Sequence, residues 1–550
     1  MKPHAFTLLL ALSLVPRIST AQPRLYPVAG KVISQADGHP IAHASLSLLS
    51  IPERKPLQST TSDADGAFTF SEVPAGKYEL RGEAPGFVRT TYDEHGGFST
   101  AIVTGSTVSA GSLVFELIPR STLSGTISDS SGDPVPSASL HLFRQAEDFG
   151  QGSIVHVGMA MTNDLGRYEF ANLSAGSYLL AVQAQPWYAS NLIGLEPGSI
   201  GISGPRDPSL AVAYPITYYP GVTDPLQAAA IVLRPGDTSA DLRLGAVPAI
   251  QLTFHNPAPP QRNARDGVDV AARNRPPQLF VSIFGTRQFV PASVQAVGGE
   301  TVLSGFAPGD YLLSSSSSGP NGNPEPVHLS SSGPPDLPSQ AKAVQLRLAL
   351  RLPDGSAVPG RSAISLVTGH ESSDPITAVA NSKGEVDLTV SPADYFLQVT
   401  LGSEPAIVEQ VLAGTAIIPA NPLHIASPAP SAGSLAYTVT VVPANITVNG
   451  VAQRDGKPCP GAFILLVPAG ELRNPRNWRT QQSDLDGSFD LSAVAPGSYL
   501  LFAIENGWQL KWRDVSVLSR YVPGALRVEI IDSSAHSQQL EHPVVVQPKL

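Results

Sequence analysis

Among the residues whose types and spacing could do chemistry, paired aspartates come first. Asp63 and Asp65, and again Asp484 and Asp486, stand two apart just before a glycine. Alternating loop carboxylates of this kind offer oxygen ligands to calcium. They serve equally well as turn formers, because aspartate accepts hydrogen bonds from the backbone amides that follow it. Neither pair has a third acidic position before the glycine or a distal bidentate glutamate, and the equivalent stretch at Asn163-Asp164 shifts the register. Aromatic residues are the second candidates. Trp478, Trp508 and Trp512 fall near the C-terminal end, and Trp187-Tyr188 near residue 190. Exposed, such rings could form flat platforms against sugar faces; buried, they would serve packing.

Hydrolytic chemistry finds little support. A zinc hydrolase needs three protein ligands and an open fourth position, usually signalled by His-x-x-Glu or His-Glu-x-x-His. None of the twelve histidines begins either pattern, and there is no Gly-x-Ser-x-Gly elbow. The single cysteine, Cys459, lies between two prolines with no nucleophile pattern around it. The expectation is a non-enzymatic chain with no cofactor, catalytic residue or resident metal.

Composition narrows the partners. With 35 Lys+Arg against 45 Asp+Glu, the formal net charge is -10, and no basic run stands out. Nucleic-acid binding needs a concentrated basic face and is not expected. The N-terminus reads as a Sec-type export signal over residues 1–21: Lys2, an apolar run from Phe6 to Val15, and small residues Ser19-Thr20-Ala21 at a cleavage site. That run is too short to span a bilayer, and no later segment reads as a transmembrane anchor. The mature chain is therefore expected in the periplasm, on the outer cell surface or outside the cell. One cysteine leaves no intrachain disulfide, so stability must come from packing in domains of ordinary size.

The elements that position these residues follow from a repeat. Val28-Ala-Gly-Lys-Val-Ile33, Asp37-Gly-His-Pro40, Ala44-Ser-Leu-Ser-Leu48, Asp63-Ala-Asp-Gly-Ala-Phe-Thr-Phe70 and Val73-Pro-Ala-Gly-Lys-Tyr-Glu-Leu80 set the order. It returns from Leu123-Ser-Gly-Thr-Ile127 to Leu173-Ser-Ala-Gly-Ser-Tyr-Leu-Leu180, and from Val448-Asn-Gly-Val451 to Val494-Ala-Pro-Gly-Ser-Tyr-Leu-Leu501. Twelve residues separate Gly66 from Tyr78, Gly166 from Tyr178 and Gly487 from Tyr499; six separate Gly38 from Ala44, Gly132 from Ala138 and Gly456 from Ala462. Two weaker copies lie between, one at Asp354-Gly355, Gly384 and Tyr395, the other ending in Phe306-Ala-Pro-Gly-Asp-Tyr-Leu312. Alternation around Phe68 and Phe70 predicts half-buried strands. Asp-x-Asp-Gly predicts a tight hairpin, and the tyrosine ring is expected to bury with its hydroxyl on backbone at a corner.

These motifs resemble the carboxypeptidase regulatory-like domain, a prealbumin-like (transthyretin-like) sandwich similar to some starch-binding and collagen-adhesin modules. The resemblance implies an accessory module of secreted peptidases, surface proteins and outer-membrane receptors, with no peptidase part in this chain. The fold class expected is all-β, with tandem prealbumin-like or Ig-like antiparallel β-sandwich modules. After the signal at 1–21 come sandwiches at 22–119, 120–247 (with an aromatic insertion over 186–235), 248–314 (degenerate), 341–440 (degenerate) and 441–550, with a flexible linker at 315–340. The function expected is that of an exported structural or protein-binding protein with cell-envelope partners. Polysaccharide binding through exposed aromatics is the alternative, and an accessory subunit of a peptidase a more distant one.

Overall fold

The computed structural model describes residues 24–146, 153–189, 210–255, 278–297, 300–314, 325–330, 344–368, 375–426, 434–470, 472, 477–532 and 535–550. The stretch expected to be an export signal, residues 1–21, lies outside them. Regular structure is almost all strand; the only α-helix among the described residues is the single turn Val515–Leu518. No helix there is long and apolar enough to cross a membrane.

The first module shows how the sequence builds the unit. Phe68 and Phe70 point inward from Ala67–Pro74, while Thr69 and Ser71 face water. Leu46 and Leu48 do the same from Ser45–Ser50. Fully burying each such side chain stabilises by roughly 1.5–3 kcal/mol, which rewards period-two alternation. One sheet runs Ala67–Pro74, Leu25–Ser34, Leu113–Pro119 and Phe87–Val88. The other runs Pro56–Thr61, Ser45–Ser50, Gly76–Glu83 and Thr90–Thr91, with Ile102–Thr104 also on Gly76–Glu83. Val28, Val32, Phe115 and Leu80 meet between them.

Antiparallel pairing prevails, with one regular departure. The closing strand of a module pairs parallel to its opening strand: Leu113–Pro119 on Leu25–Ser34, Leu242–Leu244 on Ser121–Asp129, Leu435–Pro443 on Val344–Arg351, and Val544–Val545 on Ile446–Arg454. In modules one, two and five the chain arrives from the opposite sheet, the long crossover a parallel pair requires. Module four departs from the expected two-sheet sandwich: its strands, Val344–Arg351 and Leu435–Pro443 included, pair into one continuous nine-stranded sheet that curls around a single core. Gly30 and Gly125 lie on the opening strands against the closing segments; a Cβ there would strike the carbonyl oxygens of Leu113 and Ala240.

Two sequence expectations change. Within the stretch read as linker, Glu325–Leu329 is a strand on Gly309–Ser314, with Val327 and Leu329 in the third module's core. Its serine- and proline-rich surroundings mask a short strand that only pairing reveals. The aromatic stretch of module two closes that sandwich: Thr217–Tyr218 and Ile231–Leu233 pair with Gly176–Gln183, and Tyr214, Ile231 and Leu233 join its core. Residues 190–209, within the expected insertion, lie outside the described residues.

Modules also share packing. The outer face of module two's sheet (Phe143, Leu179, Ala181, Tyr218) forms one cluster with Ile250, Leu279, Ile283 and Leu313 of module three. Leu485, from the last module, sits in the core cluster of the first.

Candidate functional site

The aspartate loops are built as turns. Asp63 Oδ1 accepts from the amides of Asp65 at 3.0 Å and Ala67 at 2.8 Å. Asn163 and Asn381 do the same for the amides two and four residues on. Gly66, Gly166, Gly384 and Gly487 complete these hairpins at positive φ, between +69° and +77°. Asp486 Oδ1 accepts from Ser488 N at 3.0 Å. An asparagine fills the role as well as an aspartate, so the chemistry required is a carbonyl-type acceptor. No group of three His, Cys, Asp or Glu side chains disposed to hold a metal occurs among the described residues.

Asp484 has a different task. Its Oδ2 lies 2.8 Å from the Lys77 ammonium, and its Oδ1 accepts from Ala101 N at 3.3 Å, both in the first module. Lys77 also reaches Asp490 at 2.9 Å. Burial pushes the Asp484 carboxyl above its ordinary range, against the pull of Lys77. Desolvation alone would lower the Lys77 ammonium, but Asp484 and Asp490 outweigh it and hold it above its usual value. Next to them the buried Gln482 amide donates to Thr100 Oγ1 at 2.8 Å and Asp93 Oδ2 at 3.1 Å, and Leu485 N donates to Ala101 O. Modules one and five are thus clasped by a buried polar network with an apolar plug.

The C-terminal tryptophans belong to packing, which corrects the expectation of exposed platforms. Trp478, Trp508 and Trp512 are 6%, 3% and 6% exposed, so none presents a ring face to a ligand. They cover the outer face of Phe463–Pro468 and Gly497–Ile504 together with Phe463, Phe502 and Tyr521. Segment 507–525, absent from the other repeats, folds over that face as short helical turns. Trp508 further stacks on Phe98 (5.3 Å between ring centres) and His95 (6.3 Å) of the first module.

Trp187 differs. It is 69% exposed and stands edge-on to Tyr188 at 5.7 Å, just beyond the end of Gly176–Gln183. It lies on a cleft of about 510 Å³ between modules two and three, lined also by Met159, Tyr214, Phe289 and His141. The rim is held by Gln183 and Gln185, whose amides donate to Phe289 O at 2.9 Å and Pro291 O at 2.7 Å. His141 is the residue the sequence reading passed over. It is 2% exposed, and neither ring nitrogen has a hydrogen-bond partner. Burial, with His156 nearby, lowers its pKa to about 4, so the imidazole is neutral at pH 7. The available signal was a histidine at an alternating strand position whose neighbours, Leu140 and Leu142, face the core.

Cys459 is half-buried, and burial pushes its thiol above the usual range, the reverse of an activated nucleophile.

No curated protein matches the chain in sequence. Solved structures that resemble it include GBS52, the minor pilin of Streptococcus agalactiae, at 13% identity, covering 43% of this chain and 100% of that one with a TM-score of 0.21. The Bacillus anthracis TIE protein is 10% identical, covering 88% and 70%, with a TM-score of 0.16. The shaft pilin SpaA of Lactobacillus rhamnosus GG is 6% identical, covering 41% and 98%, with a TM-score of 0.19. Likenesses this slight carry no statement about role. Residues 27–112 and 122–199 match the family model of the carboxypeptidase regulatory-like domain, and the described residues form a multi-module all-β chain.

Proposed function

We propose that the chain is a non-catalytic, exported structural and protein-binding protein of the cell envelope or its exterior. The observation that carries this reading is the clasp between modules one and five. A side chain of the last module, Leu485, completes the core of the first, and Lys77 and Gln482 bind across the same boundary. Side chains that could have served chemistry are spent on turns and on joining modules, as a scaffold requires. Such a protein works by holding partners at fixed positions on strand edges and loops.

The test is made in the producing cell, with photo-crosslinking residues at exposed positions such as Leu226 and Ile417. The expected result is a mature chain beginning near residue 22, recovered outside the cytoplasm with a discrete envelope-protein adduct from at least one position. An unprocessed chain in the cytoplasm, or a processed chain that forms no adduct from any position, would overturn the reading.

A further inference from the structure

We infer that the cleft between modules two and three is a binding site for an uncharged saccharide, with the Trp187 ring as platform and His141 as the hydrogen-bonding group at its floor. The argument starts from charge. Among the described residues, those lining the cleft include no Asp, Glu, Lys or Arg. A ligand carrying a carboxylate, phosphate or ammonium would lose its hydration there with no counter-charge in return. The occupant is therefore neutral.

The polar groups narrow it further. His141 stands on the outer face of its sheet, level with Met159 on one neighbouring strand and Ala181 on the other. A neutral imidazole offers one donor and one acceptor; here both lie buried without a partner, so a ligand reaches them only as the His141 ring turns toward the cleft. Leaving such atoms unsatisfied costs on the order of 1–3 kcal/mol each, a cost recovered at each nitrogen that a ligand reaches with a group able to act as donor or acceptor as that nitrogen requires. A hydroxyl does both. Ser137 and Ser139 add hydroxyls to the same lining.

The apolar part of the site has a matching shape. Trp187 and Phe289 are large rings, 69% and 52% exposed, both lining the cleft. A pyranose ring presents axial C–H bonds on one face and hydroxyls around its edge, so it satisfies a ring platform and an imidazole together. A purely apolar peptide side chain would cover Trp187 and leave His141 unpaired. The volume, about 510 Å³, lies within the ordinary range for small-ligand clefts.

This site is independent of the scaffold role, and its test leaves that role untouched. The full mature chain is titrated by tryptophan fluorescence with neutral hexasaccharides of β-1,4-glucose, β-1,4-xylose, β-1,4-mannose, α-1,4-glucose and β-1,4-N-acetylglucosamine. Hexa-mannuronate serves as the charged control. Trp187 is the one exposed tryptophan of the four, so a saturable signal reports on this cleft. At least one neutral hexamer is expected to bind, with Trp187→Ala and His141→Leu each weakening it about tenfold. Trp187→Ala changes an exposed side chain, so its loss of binding is separable from misfolding. Failure of all five hexamers at millimolar concentration would overturn the proposal. So would binding that both variants leave unchanged, tighter binding of hexa-mannuronate, or stronger binding of an uncharged apolar peptide at the same site.

Discussion

Lys77 and Asp484 have unequal claims on the interface they share. The Asp484 side chain is 12% exposed and Lys77 31%, so the carboxylate loses more hydration and depends more on its partner. Lys77→Met should therefore cost more than Asp484→Asn, about 2 kcal/mol against about 1. The two should also differ in pH dependence. With Lys77 gone, desolvation drives the Asp484 carboxyl further up. A group harder to ionise folded than unfolded costs stability while ionised, and the cost disappears as pH falls toward the unfolded value. The Lys77→Met defect should shrink from pH 7 to pH 4, whereas the Asp484→Asn defect should grow, because the wild type is relieved of its costly ionisation as pH falls and the amide has nothing to titrate; denaturant unfolding at both pH values would show it. His141 runs the other way. Its folded pKa, about 4, lies below the ordinary 6.5, so the unfolded chain takes up the proton first and stability is lost as pH falls through that window. His141→Leu should flatten this acid loss, and unchanged acid sensitivity would refute the assignment. None of these three roles was legible in the sequence: Lys77 and Asp484 look like surface charges of distant modules, and His141 like any polar strand residue.

Turns and corners, by contrast, were readable because their chemistry is local. The tyrosine hydroxyl donates to the carbonyl four residues earlier in all five modules: Tyr78 to Pro74, Tyr178 to Ser174, Tyr311 to Ala307, Tyr395 to Ser391 and Tyr499 to Ala495. This fixes one end of the twelve-residue spacing, and the positive-φ glycine fixes the other. Tyr178→Phe should cost about 1 kcal/mol. Gly66→Ala should cost more, since its Cβ would lie 2.5 Å from Val32 O at φ +75°. About 2 kcal/mol is expected, seen as hydrogen exchange roughly thirtyfold faster across module one, with module four unaffected. A second local device escaped the sequence reading. Ser62, Thr162 and Ser483, each just before the hairpin acceptor, donate to a carbonyl upstream (Ile41, Val135, Cys459) and accept from Ala44, Ala138 and Ala462. Serine and threonine substitute for each other there, which blurs the motif. The parallel closing strands escaped as well, because pieces as short as Leu242–Leu244 or Val544–Val545 have no periodicity to read. The tryptophans of module five were misplaced because segment 507–525 is foreign to the repeat, so nothing in the repeat foretold a cover.

Five modules follow from the repeat, but neither the single curled sheet of module four nor their mutual arrangement does. It depends on pairs such as Gln482 with Thr100 and Trp508 with Phe98, which no local pattern brings together. Leu485→Lys would place an ammonium in module one's core cluster and should release the clasp. Small-angle scattering of the full chain should then show a larger radius of gyration, with the circular dichroism of the strands retained. An unchanged radius would mean that modules one and five stay together without the plug.

The clasp also decides how the chain carries load. When the first and last modules are drawn apart, the force passes directly between them through Lys77, Gln482 and Leu485, bypassing the three modules between. Those modules are stored length. Only after the clasp parts do they come under tension, so the molecule behaves first as a short, stiff link and then as a long, yielding one.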